Sequence, residues 1–157
     1  MRSLKQENLL ENESVSTKGI KYFRIRLGLI ITILGFLIFL LGARPSIFGL
    51  DRSPVIGFVQ IGVFLVGLAI MCLGGYMSMK VLWQNETPSI LADIGLRLVA
   101  TGFVIAVFGG MADVFGFGSH PLPDSPYFGG WQTIGVEIGE AIIAIGFIFM
   151  IPFGKKS

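Results

Sequence analysis

The sequence predicts an all-α integral membrane protein whose four transmembrane helices form two tandem helical hairpins. Three observations lead there. The 157-residue chain is 53% hydrophobic and only 14% charged, against about 25% charged in a soluble domain. Lipid must therefore be the solvent for much of its surface. Four apolar stretches each approach the roughly 20 residues that a bilayer core demands. Finally, the two halves of the chain carry the same pattern of glycines.

Residues 1–19 are polar and without apolar periodicity, which predicts a flexible cytoplasmic tail that cannot order itself by burial. The first hairpin is expected over residues 20–80, with spans at about 25–43 and 55–79. A short cytoplasmic loop, 81–89, leads to a second hairpin over 90–157, with spans at about 90–112 and 131–153. Each span is too long for a strand and too continuously apolar for a surface helix. Backbone amides in hydrocarbon must be satisfied within the segment, so these are helices. A cleaved signal peptide is the competing reading of the first span. The long polar leader and the poor cleavage context at Ala43-Arg44-Pro45 oppose it.

The repeat opposes it more strongly. Gly28, Gly35, Gly42 and Gly49 recur as Gly95, Gly102, Gly109 and Gly116 under a shift of 67 residues. Under a shift of 72, Ser53, Pro54, Gly57, Gln60, Gly67 and Gly74 map onto Ser125, Pro126, Gly129, Gln132, Gly139 and Gly146. Span one is thus the counterpart of span three, and span two of span four. Both copies begin on the same side, which makes this a parallel repeat about an axis along the membrane normal. A four-helix bundle of two pseudo-symmetric hairpins is expected. Glycines seven apart keep one face aligned along a left-handed crossing of about +20°. All of them, with Gly139 and Gly146, are read as helix-packing residues, because small residues let backbones approach closely in lipid.

Lys and Arg set the orientation. Arg2, Lys5, Lys18, Lys21, Arg24, Arg26, Lys80, Arg97, Lys155 and Lys156 share one side if all four spans cross; Arg44 and Arg52 take the other. Ten against two places both termini in the cytoplasm.

The outer loops both pair an apolar-glycine motif with a Ser-Pro entry to the next helix, where Ser is expected to cap and Pro to start the first turn. Phe48, Phe115, Phe117, Tyr127, Phe128 and Trp131 are expected in an interfacial aromatic belt. Arg52 aligns with Asp124, and Asp113 takes the place of Ser46. With Arg44, these four are the candidate charge pairs of the outer mouth.

The largest departure from the repeat lies inside span four. Glu137 stands where the first copy has Leu65, and Glu140 where it has Leu68. Three residues apart, they share a helix face. Counting from Trp131, Glu140 lies about 14 Å deep at 1.5 Å per residue, near the middle of a roughly 30 Å core. Ionised groups there are expensive and face an interior or a cavity. Three roles compete: a structural clamp to Gln60, Gln132, Thr101 or Arg44; a proton- or cation-handling site; and a metal site with Asp113 or His120. Di-iron bundles want Glu-x-x-His motifs on two helices, and the single histidine lies in a loop, so no metal and no cofactor is expected. Asp93 and Arg97, four apart, read as a local pair with Arg97 reaching the cytoplasmic surface.

Cys72 alone excludes an intrachain disulfide and a cysteine-rich metal centre. No nucleophile with its base, dinucleotide fingerprint or nucleotide loop is present. The net charge of +2 is arranged by topology, not as a nucleic-acid patch. The chain therefore reads as a non-enzymatic accessory or scaffold subunit in a bacterial inner or plasma membrane. Its expected partners are the bilayer and other membrane proteins or itself. The alternative is a small oligomeric channel or proton-coupled transporter working through Glu137 and Glu140.

Overall fold

The computed structural model describes residues 2–44, 49, 57–83, 87–117 and 129–152, with side chains from residue 19 onward. Four helices follow in order: α1 (Arg2–Ala43), α2 (Phe58–Leu82), α3 (Ile90–Gly110) and α4 (Gly130–Phe149). All four are long and apolar enough to cross a membrane, α1 through its Gly19–Ala43 portion. No strand occurs among the described residues. Large apolar side chains are turned outward on every helix, among them Ile30 in α1, Leu73 in α2, Val104 in α3 and Ile138 in α4. Such a surface suits hydrocarbon and not water.

Helix α4 begins where expected and α2 a few residues later. The leader is continuous with α1, which begins at Arg2. Its Leu, Lys, Gln and Glu residues are good helix formers, and extending an existing helix avoids the cost of a new nucleus. Helix α2 starts at Phe58 and α4 at Gly130, capped by Gly57 and Gly129 without a side-chain cap from either. The Ser-Pro pairs lie outside the described residues. At α4, the Gln132 Oε1 accepts the Gly129 N–H at 2.6 Å and so satisfies one amide of the exposed helix start. Helix α3 does have a serine cap, the Ser89 Oγ accepting from the Ala92 N–H at 3.2 Å.

Each hairpin is held by backbone contact at its glycines. A Cβ added to Gly28 would meet Ser78 and the Gly74 carbonyl; one added to Gly35 would meet Met71 and Gly67; one added to Gly42 would meet Phe64. In the second hairpin, Gly95 stands against Gly146, Gly102 against Gly139 and Ile143, and Gly109 against Gly135 and Val136. Shifts of 67 and 72 carry the pairs 28–74, 35–67 and 42–64 onto 95–146, 102–139 and 109–136. The heptad spacing therefore marks a real seam in both halves. Small hydroxyls fill the first seam: Thr32 packs on Gly74 and Ser78 on Gly28, each donating to the carbonyl one turn back.

Gly49 and Gly116 fall on the same ladders but do not pack. Both adopt positive φ, 66° and 78°, and an added Cβ would meet nothing within 4 Å. They are turn residues, chosen for a left-handed backbone that disfavours a side chain. The ladder's last rung is thus a loop requirement that happens to keep the spacing.

The hairpins meet through α2. Leu65 and Leu68 are buried against α3 and α4 together with Val99, Ala106, Val136 and Ile143. At the end away from the turns, the Trp83 indole N–H donates to the Met150 carbonyl at 2.9 Å. Trp83→Phe is expected to cost about 1 kcal/mol and to speed hydrogen exchange at the C-terminal turns of α2 and α4, with no effect at the turn end.

A closed pseudo-symmetric bundle would repeat the α2–α3 contact between α4 and α1. It does not: no Cα of α1 comes within 8 Å of α3 or α4. Helix α1 is held by α2 alone, and the side of the bundle between α1 and α4 is open.

Candidate intramembrane carboxylate groove

The open side is where the two halves of the sequence differ. Leu65 and Leu68, buried at 6% and 1% exposure, carry the α2–α3 contact. Their counterparts on α4 are Glu137, exposed, and Glu140, half-buried. A carboxylate cannot replace a close-packed leucine against an apolar helix without losing hydration. The loss of helix contact and the exchange of leucine for glutamate therefore coincide.

Two cavities fill the opening. One, of about 390 Å³, lies at the turn end among Phe39, Ala43, Arg44, Phe64, Glu137 and Glu140. The other, of about 490 Å³, continues toward the far end past Phe36, Leu68, Met71, Glu140 and Phe147. They share Phe39 and Glu140 and form one groove with α1 and α4 as its walls and α2 as its floor. Phe39 stands edge-on to Phe64, ring centroids 6.1 Å apart, which fixes the floor beneath the carboxylates.

The proposed clamp partners are distributed otherwise. Arg44 lines the same cavity as Glu137 and Glu140. Gln132 is buried and committed to the Gly129 amide. Thr101 is exposed on α3 and donates to the Arg97 carbonyl at 2.8 Å. Gln60 lines neither cavity. Neither forms a clamp: the Thr101 hydroxyl is taken by a local carbonyl, the usual competitor for such side chains, and the Gln132 Oε1 by the Gly129 N–H, its Nε2 being buried without a partner.

Of the outer-mouth charges, Arg52 and Asp124 lie outside the described residues. Asp113 is buried at 4% exposure in the turn that follows α3, a turn closed by the Phe117 N–H donating to Ala112 at 2.9 Å. It does not line the groove beside Arg44. Asp93 and Arg97 form the expected local pair, Nε to Oδ2 3.0 Å, with both side chains exposed. Among the described residues no three of His, Cys, Asp and Glu stand together as metal ligands; His120 lies outside them. Phe115, Phe117 and Trp131 are all exposed beside the turns. Phe48, Tyr127 and Phe128 lie outside the described residues.

Sequence reasoning did not single out Phe39, Phe64 or Phe147. They sit in continuous apolar runs, and only the helix arrangement distinguishes a groove-facing phenylalanine from a lipid-facing one. Trp83 was equally unmarked, although an indole at a span end has a polar N–H to satisfy.

No family model, curated protein or solved structure matches this chain. The groove has to be interpreted from its own chemistry.

Proposed function

We propose that the chain is a non-enzymatic accessory or scaffold subunit of a membrane complex, and that the α1–α4 groove seats a helix of its partner. It lies in a bacterial inner or plasma membrane as a tandem repeat about the membrane normal, with both termini cytoplasmic. The arginine and lysine distribution supports that orientation, which puts the Gly49 and Gly116 turns outside.

The observation that carries the reading is the pair of carboxylates on an open helix face within a span. Polar groups at that depth are costly unless covered by protein or water. The flanking walls are aromatic and small, which suits a packed helix.

The second reading is a small channel or proton-coupled transporter, favoured by the position of Glu140 on both cavities. Four helices enclose little lumen, so a conducting path would have to run between copies. Glu137→Gln with Glu140→Gln separates the two. The scaffold reading expects the isosteric variant to stay folded and to lose its partner by about tenfold or more. The channel reading expects lost flux in reconstituted vesicles with assembly intact.

A further inference from the structure

We propose that Arg44 is a strap: by pairing with Glu137 it draws α1 toward α4 and closes the turn end of the groove, which therefore has an open and a closed form. This goes beyond both readings of function, since it needs neither a partner nor a second copy.

The two charges stand level on opposite walls. Val136 of α4 lies in the apolar cluster of Ile61, Phe64 and Leu65, and Ala43 of α1 packs against the same cluster. Arg44 and Glu137 are the residues that follow them, and both line the turn-end cavity of about 390 Å³. The Arg44 N–H donates to the Leu40 carbonyl at 2.9 Å, which anchors its backbone on the last turn of α1 and leaves the side chain as the moving part. Both residues are exposed, and among the described residues Arg44 is in ion contact with neither carboxylate. The structure thus shows the open form.

Physical chemistry favours closure. Helix α1 is tied to α2 alone, with no Cα within 8 Å of α3 or α4, so no described helix contact fixes the width of the opening. Glu137 and Glu140 are like charges one turn apart, a destabilising arrangement on a helix, and an opposite charge on the facing wall offsets it. A guanidinium offers a planar fork of donors that matches a carboxylate. A pair made within a span also counts for more than one in water, because the dielectric is lower. Closed, the pair bars the turn-end entry to Glu140, which lies one helical turn deeper and borders both cavities. Access to Glu140 from the turn side is thereby gated by Arg44.

The test is the separation of α1 and α4 in the full-length protein in lipid nanodiscs, read by double electron–electron resonance. Nitroxides are placed at Leu37→Cys and Ile134→Cys, both outward-facing, with Cys72→Ala removing the native thiol. The parent is expected to show a short and a long distance. Arg44→Gln and Glu137→Gln are each expected to lower the ratio of short to long by about tenfold or more, the worth of a charge-assisted pair. Arg44→Lys, which keeps the charge, is expected to keep the short distance. Both positions are exposed and stand outside the glycine seams, so the variants leave the packing of the hairpins intact. A distribution unchanged by Arg44→Gln, the result expected if another cation did the pairing, overturns the inference. So does equal loss of the short distance in Arg44→Lys and Arg44→Gln, which would mean that the side chain acts by packing and not by charge.

Discussion

Replacing Glu137 and Glu140 together by leucine is expected to stabilise the isolated chain while abolishing its assembly. The substitution restores on α4 the residues that α2 carries as Leu65 and Leu68. A carboxylate near the centre of a bilayer costs about 2 kcal/mol or more relative to an apolar side chain, so unfolding in mixed detergent micelles should shift upward. Helix α1 is then free to close on α4 as α3 closes on α2. The signature is the opposite movement of two readouts: greater resistance to denaturing detergent and loss of partner. A purely structural role for the carboxylates predicts the reverse, a destabilised chain. A conduction role predicts lost flux with the assembly unchanged.

Gly102→Ala is expected to open the second hairpin. The new Cβ would stand 2.6 Å from the Gly139 carbonyl oxygen and 2.9 Å from the Ile143 nitrogen. Both are backbone atoms of a helix and cannot step aside as a side chain would. Overpacking of this kind costs about 1–3 kcal/mol, and the equivalent Gly35→Ala, facing Met71 and Gly67, should cost as much. Gly62→Ala is the control: nothing lies within 4 Å of its added Cβ, and alanine is the better helix former by about 1 kcal/mol. Gly62→Ala should be neutral or stabilising in the same assay. Equal loss from all three would mean that the glycines act through helix flexibility and not through the seam.

Much of this was legible in the chain, and the reasons are physical. Spans show themselves because lipid requires long uninterrupted apolar helices. The seam showed itself because close backbone approach requires glycine at a fixed spacing; Gly35 against Gly67 and Gly102 against Gly139 are what that spacing predicts. The side on which the groove opens carries Glu137 and Glu140 at the positions that align with Leu65 and Leu68.

Other features were not legible. Gly49 and Gly116 share the ladder's spacing with the packing glycines, and only their positive φ separates a turn from a seam. The opening between α1 and α4 could not be read at all. The matching glycine ladders suggest equivalent neighbours for α2 and α4, whereas α2 meets α3 and α4 meets no Cα of α1 within 8 Å, the α4 positions that align with Leu65 and Leu68 being carboxylates. Gln132 has the composition of an intramembrane partner but serves its own helix start.

The seating of another protein's helix in the groove is the proposal on which the scaffold reading depends. It is tested most directly by the native mass of the protein extracted in its own lipid, beside the Glu137→Leu, Glu140→Leu variant, with every associated chain identified. The expected result is a stoichiometric complex with a foreign membrane protein, and its loss in the variant. A homo-oligomer of unchanged mass in both preparations would contradict it.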